Sequence, residues 1–209
     1  MKRWLLAALL LAGGCAELTR PLPPEPPFEL AGRIAANPVP LILDAAAADF
    51  AQAGAGLAGR PVSTALAAAR LEWIAGEFRP NRRLARLQES YAFGAQRAVI
   101  EARGALGIAP DATPEAAQAA LVAVARGLNR GDQPGASAAF ANPVFLQQGR
   151  SPLSRFTEPG VFPDAALATI AVRDEAARLL QAGEGTGLVV FDSRPIGFST
   201  TGLGSPTDR

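Results

Sequence analysis

The sequence predicts a mainly α-helical fold, an irregular bundle of five or six helices. Three observations lead to this prediction. Alanine, the residue with the highest helix propensity, is very abundant. Apolar residues recur at helical spacing in successive segments, and proline and glycine separate those segments. We therefore expect one helical domain over residues 30–182, preceded by a Pro-rich tether and followed by a flexible Gly-, Ser- and Thr-rich tail over 183–209.

Three helices are predicted in the first half of the domain. The first covers residues 41–57, where several glycines fray its end. The second covers 61–78 and begins with a proline, a residue that suits the first turn of a helix. The third covers 83–106 or 88–106, and Gly107 supplies its C-cap. The expected apolar face of this third helix comprises Leu84, Leu87, Tyr91, Ala95, Ala98 and Ala102.

A clear start signal opens the second half of the domain. Thr113 is a good N-cap residue, and Pro114 follows it at the first helical position. The helix that begins there is expected to end near Gly131, and a shorter helix is expected over Gln133–Phe140.

The last predicted helix covers 163–181 and follows an irregular segment over 142–162. Its expected apolar face comprises Leu167, Ile170, Asp174, Ala177 and Leu180. Glycines stop the helix, and the four residues from Leu188 to Phe191 are compatible with one short strand.

The beginning of the chain has the layout of a secretory signal peptide, over residues 1–14. Lys2 and Arg3 are followed by a short apolar run and then by small residues. The apolar run is too short for a membrane-spanning helix, which needs about 20 residues.

The segment Leu11–Cys15 resembles the lipobox of bacterial lipoproteins. That family most often has leucine three positions before the cysteine, where this chain has Ala12. The resemblance implies that Cys15 is lipidated and anchors the protein to a membrane. Because Ala16 follows the cysteine where an aspartate would mark retention in the inner membrane, the resemblance favours the outer membrane, facing the periplasm. The alternative is a chance cysteine beside a generic cleavage site.

Residues 15–29 are expected to form a linker between the lipid and the domain. Five prolines occur in this segment, which favours an extended polyproline-like chain of roughly 35–40 Å at about 3.1 Å per residue. The linker then acts as a semi-rigid tether. The alternative is a Pro-rich ligand for a groove in a partner.

The composition excludes several classes of chemistry. The chain has no histidine, one cysteine, and no lysine beyond Lys2, so the bases of Ser-His-Asp, Cys-His and Ser-Lys catalysis are absent. Metal sites of the Cys/His type are excluded for the same reason, and we expect no cofactor. Removal of Lys2 and Arg3 with the signal peptide changes the formal charge from +1 to −1, so we expect no nucleic-acid partner.

Carboxylate chemistry remains, and one glutamate is a candidate for it. The segment Gln88–Tyr91 is similar to the Glu-Ser pair of lytic transglycosylases, enzymes that cut peptidoglycan, over these four residues. The resemblance implies that Glu89 is the acid/base residue of a peptidoglycan-active enzyme. The alternative is a solvated helix carboxylate paired with a nearby arginine.

A cluster of arginines precedes the third helix and forms the other candidate site. It comprises Arg79, Arg82, Arg83 and Arg86. Several cations near a positive helix N-terminus are unfavourable, which favours a role as a dock for phosphate, lipid headgroups or an acidic partner. The alternative is a solvated start of the helix.

The hypothesis that best fits these observations is a membrane-anchored lipoprotein without enzymatic activity. Its helical domain would bind or scaffold a cell-envelope protein or peptidoglycan. The alternatives are a carboxylate-dependent cell-wall enzyme that uses Glu89, and a lipoprotein that binds a small ligand in a concave pocket.

Overall fold

The computed structural model describes residues 24–80, 82–147 and 149–183. The predicted signal peptide, Cys15 and the predicted tail beyond Gly183, with its expected strand, lie outside these residues. The predicted fold class is confirmed: the described chain is mainly α-helical and contains no β-strand, only an isolated bridge between Ile108 and Phe145. None of the helices in the described ranges is long and apolar enough to cross a membrane.

Nine α-helices occur in the described residues, and six of them have eight residues or more. A 3₁₀ turn over Ala55–Leu57 follows the third helix. The helices are α1 Phe28–Ala31, α2 Val39–Asp49, α3 Ala51–Gly54, α4 Pro61–Gly76, α5 Glu89–Leu106, α6 Pro114–Asn129, α7 Gln133–Phe140, α8 Pro152–Thr157 and α9 Pro163–Gln181.

Local signals explain where several helices begin. Helices α4, α6 and α9 start at a proline, as the sequence predicts. Thr113 caps α6 by accepting a hydrogen bond from the backbone N of Ala116 at 3.2 Å. Asp132 caps α7 in the same way, accepting from the backbone N of Gly135 at 2.9 Å.

The structure decides one predicted boundary and corrects another. Helix α5 begins at Glu89 and has Gln88 as its N-cap, in agreement with the later of its two predicted starts. The earlier start is excluded because the preceding residues form turns closed by a hydrogen bond from the backbone N of Leu84 to the carbonyl of Glu77, 2.9 Å. The segment 142–162 is not wholly irregular, since it contains α8, whose N-cap Ser151 accepts from the backbone N of Ser154.

Helix α4 is the centre of the bundle. Ten of its sixteen residues are buried, and it contacts α2, α5, α6 and α8. Helices α6 and α7 form a close hairpin at Gly127, where a Cβ atom would lie 2.8 Å from the backbone N of Ala136. A cluster of three edge-to-face aromatic rings joins α7, α8 and the segment between them; it comprises Phe140, Phe145 and Phe156.

The predicted apolar face of α9 is wrong. Leu167 is 73 % exposed and Ile170 is 40 % exposed. The helix packs against α5, where a Cβ built on Gly94 of α5 would make an ordinary van der Waals contact with the Cβ of Ala168, at 3.8 Å. This spacing accommodates small side chains, so the large ones face outward. The buried face comprises Ala165, Ala168, Thr169, Val172 and Ala176.

The segment Pro24–Ala31, which we call the N-terminal strap, lies against the domain. Its backbone is of polyproline type at Pro27, with φ −52° and ψ 137°. Leu30 is completely buried, and Glu29 pairs with Arg126 of α6. Residues 24–29 of the predicted linker therefore contact the domain.

Candidate functional site

The structure does not bring the four predicted arginines together as one basic surface. Arg79 donates two hydrogen bonds to Glu115, and both side chains are about half exposed. Arg82 is half-buried beside the strap and Arg86 is exposed. Arg83 is buried, so it cannot contact a partner at the surface.

Arg83 instead closes the turn between α4 and α5. Its Nη1 and its backbone N donate to Oε2 of Glu77, at 3.1 and 3.0 Å. Its Nη2 donates to the carbonyl oxygen of Pro24 at 3.1 Å. A cation that would be unfavourable near a helix start is therefore compensated by a carboxylate six residues earlier in the sequence.

Glu89 lies on an open helix end. It is the first residue of α5 and is exposed, where a carboxylate interacts favourably with the helix dipole. The neighbouring cavity, of about 220 Å³, is lined by Ser90 and Tyr91 but not by Glu89. The carboxylate that lines this cavity, Asp164, is paired with Arg97 at 2.8 Å. This geometry does not place two carboxylates across a cleft, as glycoside hydrolysis requires.

Three buried or nearly buried ion pairs involve residues of α4 or of the turn that follows it. In one of them both carboxylate oxygens of Glu72 accept from Arg103, at 2.7 and 2.8 Å. Burial raises the pKa of Glu72, while the hydrogen bonds and the charge of Arg103 act to lower it. The other two pairs are Asp49 with Arg70 and Glu77 with Arg83.

These pairs are not among the sites predicted from the sequence. The sequence does contain an indication of the Glu72 pair, because Glu72 lies between Leu71 and Trp73 in a strongly apolar stretch of a predicted helix. A charged residue in such a position is rarely buried unless it is paired. The arginine partner could not be identified, since it lies 31 residues away on another helix.

A groove of about 480 Å³ lies between the end of α4, α5 and the start of α6. Its apolar lining includes Phe78, Val99 and Ile100, and its volume falls within the range of about 300–1,000 Å³ that is usual for small-molecule sites. The cavities beside α9 and beneath the strap are smaller, about 220 and 240 Å³.

A more distinctive feature is a group of exposed apolar side chains on the adjoining helices α5 and α9, which we call the outer face. It comprises Phe93 and Ile100 of α5 with Leu167 of α9. Phe93 is 58 % exposed and Ile100 is 71 % exposed. Phe93 is four residues before Arg97 and Ile100 is three residues after it, so all three side chains lie along the same side of α5.

Polar contacts join α5 and α9 beside the outer face. Arg97 Nη2 donates to both carboxylate oxygens of Asp164, at 2.8 and 3.0 Å, and so joins the two helices. Glu101 of α5 accepts from the backbone N of Asp164 and of Ala165, at 3.2 and 3.0 Å, and caps the start of α9. Single exposed apolar residues are common in proteins, but a group on two adjoining helices is typical of an interaction surface.

Among the described residues, no three His, Cys, Asp or Glu side chains approach one another as metal ligands would. Comparison of the chain with protein-family models, with curated proteins and with solved structures gave no match.

Proposed function

We propose that this chain is a lipoprotein anchored through Cys15 to the periplasmic face of the outer membrane, and that its helical domain binds or scaffolds a cell-envelope protein. The lipobox-like segment Leu11–Cys15 supports the anchor. The outer face supports the binding role and is the observation that carries it. Peptidoglycan is the alternative partner.

The shape and composition of the outer face favour a protein partner. Large apolar side chains project from two helices whose mutual contact is made by small residues such as Gly94 and Ala168. The adjoining cavity is small, so the apolar surface is presented to a broad partner rather than enclosed around a small ligand. The Arg97–Asp164 pair supplies polar groups that can set the partner's orientation.

Site-specific photo-cross-linking in cells tests the binding role. A photoreactive residue at position 93 or at position 167 should cross-link the same envelope protein. A matched probe at Gln133, exposed on α7, should not. The additional change Leu167→Glu should abolish the adduct from position 93. Equal adducts from all three positions, or none from the outer face, would contradict the proposal.

Intact mass and membrane fractionation test the anchor. The native chain should carry acyl mass and sediment with outer membranes, because two or more acyl chains hold a protein stably to a bilayer. The Cys15→Ser variant should lack that mass and lose its membrane association. An unacylated native chain in the soluble periplasm would contradict the proposed anchor. That result would not affect the binding role of the outer face, which the cross-linking tests.

The groove of about 480 Å³ favours a second candidate function, the binding of a small apolar ligand. Titration calorimetry with dodecanoate would detect such binding, and Ile100→Glu should remove it because Ile100 lines the groove and is largely exposed. Unchanged heats in this variant would exclude the groove as the site.

A further inference from the structure

A second recognition surface lies beneath the N-terminal strap. A cavity of about 240 Å³ separates Pro24–Pro27 from the domain. On the domain side, Trp73 of α4 and Pro114 of α6 supply apolar walls. The polar groups of that side come from Arg82, Gln118, Glu72, Glu77 and Glu115. The strap therefore lies over a groove that its own side chains do not fill.

Three arginines from three parts of the domain hold the strap. Arg83 donates to the carbonyl oxygen of Pro24 at 3.1 Å, and Arg70 Nε donates to that of Leu30 at 2.8 Å. Arg126 forms an ion pair with Glu29. A polyproline-type backbone makes no internal hydrogen bonds, so its carbonyls are available to such donors. Trp73 in the wall of the groove and the guanidinium donors that hold the strap beside it are the two features that suit an extended, proline-rich chain.

We propose that this groove is a recognition site for proline-rich peptide segments and that the strap is its intramolecular occupant. The strap itself indicates the chemistry of the ligand: prolines, then an acidic residue for Arg126, then a leucine that is completely buried in the core. The matching partner segment is a proline-rich peptide with an acidic residue and a leucine after its prolines. This proposal is independent of the outer face and of the lipid anchor.

The contacts between the strap and the domain are incomplete. Oε2 of Glu29 is buried without a hydrogen-bond partner among the described residues, a costly arrangement for a carboxylate. The unfilled cavity is a second defect. A ligand with better contacts can therefore replace the strap, although it must compete with a segment whose effective concentration is in the millimolar range, as is typical of short tethers.

Trp73 provides the measurement. The sequence contains two tryptophans, so Trp4→Phe leaves Trp73 as the single tryptophan of the full chain, and Trp73 lines the groove. A synthetic peptide with the sequence of residues 21–32 is titrated against this protein. The variant Leu30→Ala weakens the attachment of the strap to the domain, whereas the added peptide still carries the leucine. We expect the peptide to bind Leu30→Ala at least about tenfold more tightly than it binds the parent chain.

Two controls give the test its specificity. Gly76→Leu projects a side chain into the groove without a close clash, because a Cβ at Gly76 meets nothing nearer than 3.7 Å, and it should abolish peptide binding in the Leu30→Ala background. A peptide with alanine in place of its prolines should not bind. Circular dichroism confirms folding, and the milder Glu29→Gln replaces Leu30→Ala if that variant unfolds.

Equal binding of the two peptides, or binding unaffected by Gly76→Leu, would overturn the proposal. So would a failure of the peptide to bind either strap variant. If the strap variants instead dimerise by exchanging straps and bind no peptide, the groove belongs to a second copy of the chain, and the proposal of a separate partner is wrong.

Discussion

Each of the three buried arginines binds a carboxylate and a backbone carbonyl at once. Arg70 joins Asp49 to Leu30, and Arg83 joins Glu77 to Pro24. Arg103 binds Glu72 and also donates to the carbonyl of Pro110 at 2.9 Å. The guanidinium group has five donors in a fixed plane and can serve both acceptors, whereas a lysine ammonium is a point charge on a flexible stem. These arginines therefore position chain segments as well as neutralise carboxylates.

Removal of Arg103 should destabilise the fold strongly. Arg103→Gln leaves the Glu72 carboxylate buried without its partner, and breaking a buried pair costs about 3–5 kcal/mol. Arg79→Gln, in the exposed pair with Glu115, should cost less than about 1 kcal/mol. Urea unfolding at pH 7 measures both variants. Similar losses in the two variants would show that the buried pair has no special role.

The stability of the Arg103→Gln variant should also depend more strongly on pH than that of the parent chain. Burial raises the pKa of Glu72 above its ordinary value of 4.5, and Arg103 opposes that rise. Without Arg103 the pKa in the folded state rises further, so the folded state binds the proton more tightly than the unfolded state. The free energy of unfolding should then fall as pH increases from the ordinary pKa through the raised one. Urea titrations between pH 4 and 8 measure this slope, and the added Glu72→Gln change should remove it.

At the scale of secondary structure, glycine has opposite roles in two helices. In α6, a Cβ at Gly127 would lie 2.8 and 2.9 Å from backbone atoms of Ala136, so Gly127→Ala must push α7 away. In α5, a Cβ at Gly104 would meet nothing within 4 Å. We expect Gly127→Ala to lower stability by about 1–3 kcal/mol and Gly104→Ala to raise it by up to about 1 kcal/mol. Thermal and urea unfolding distinguish these outcomes, and a stable Gly127→Ala would refute the close hairpin.

The orientation of α9 gives a second prediction at this scale. Leu167→Glu should change stability by less than about 1 kcal/mol, because the side chain is largely solvent-exposed. Val172→Glu, at a fully buried position on the same helix, should unfold the domain or cost more than about 4 kcal/mol. Circular dichroism and urea unfolding compare the two. A severe effect of Leu167→Glu would mean that this face is packed.

The helices also show which structural features follow from local sequence and which do not. The starts of α4, α6, α7 and α9 follow from prolines and capping residues, which act within one turn and are visible locally. The buried face of α9 depends instead on which side of it packs against α5, and the contacting residues of α5, such as Gly94, are far away in the sequence. The spacing of the large apolar residues predicted the wrong side of α9 as its buried face for this reason.

The candidate site was predicted less well than the fold. Arg79, Arg82, Arg83 and Arg86 are neighbours in sequence, but the turn over which they lie directs Arg83 inward and leaves Arg86 outside. Glu89 is at a helix start, as one of the two predicted boundaries implied. The outer face combines residues about 70 positions apart, so no local pattern could indicate it.

For the whole molecule, we expect a single cooperative unfolding transition. Helix α4 contacts α2, α5, α6 and α8, so loss of any one neighbour exposes the same core. Trp73 fluorescence, which reports on α4 and the strap, should change at the same urea concentration as far-ultraviolet circular dichroism, which reports on all helices. Separate midpoints would show that the region of the strap unfolds independently.

The strap also determines how the domain responds to a pull on its N-terminal side. Its three arginine contacts follow one another along the chain, at Pro24, Glu29 and Leu30. Under tension the Pro24 contact would carry the force first, and the contacts of Glu29 and Leu30 would carry it only after the Pro24 contact has opened. The three contacts would therefore break one after another. The N-terminal side of the described chain would then yield at low force, before α4, which is packed among its neighbours.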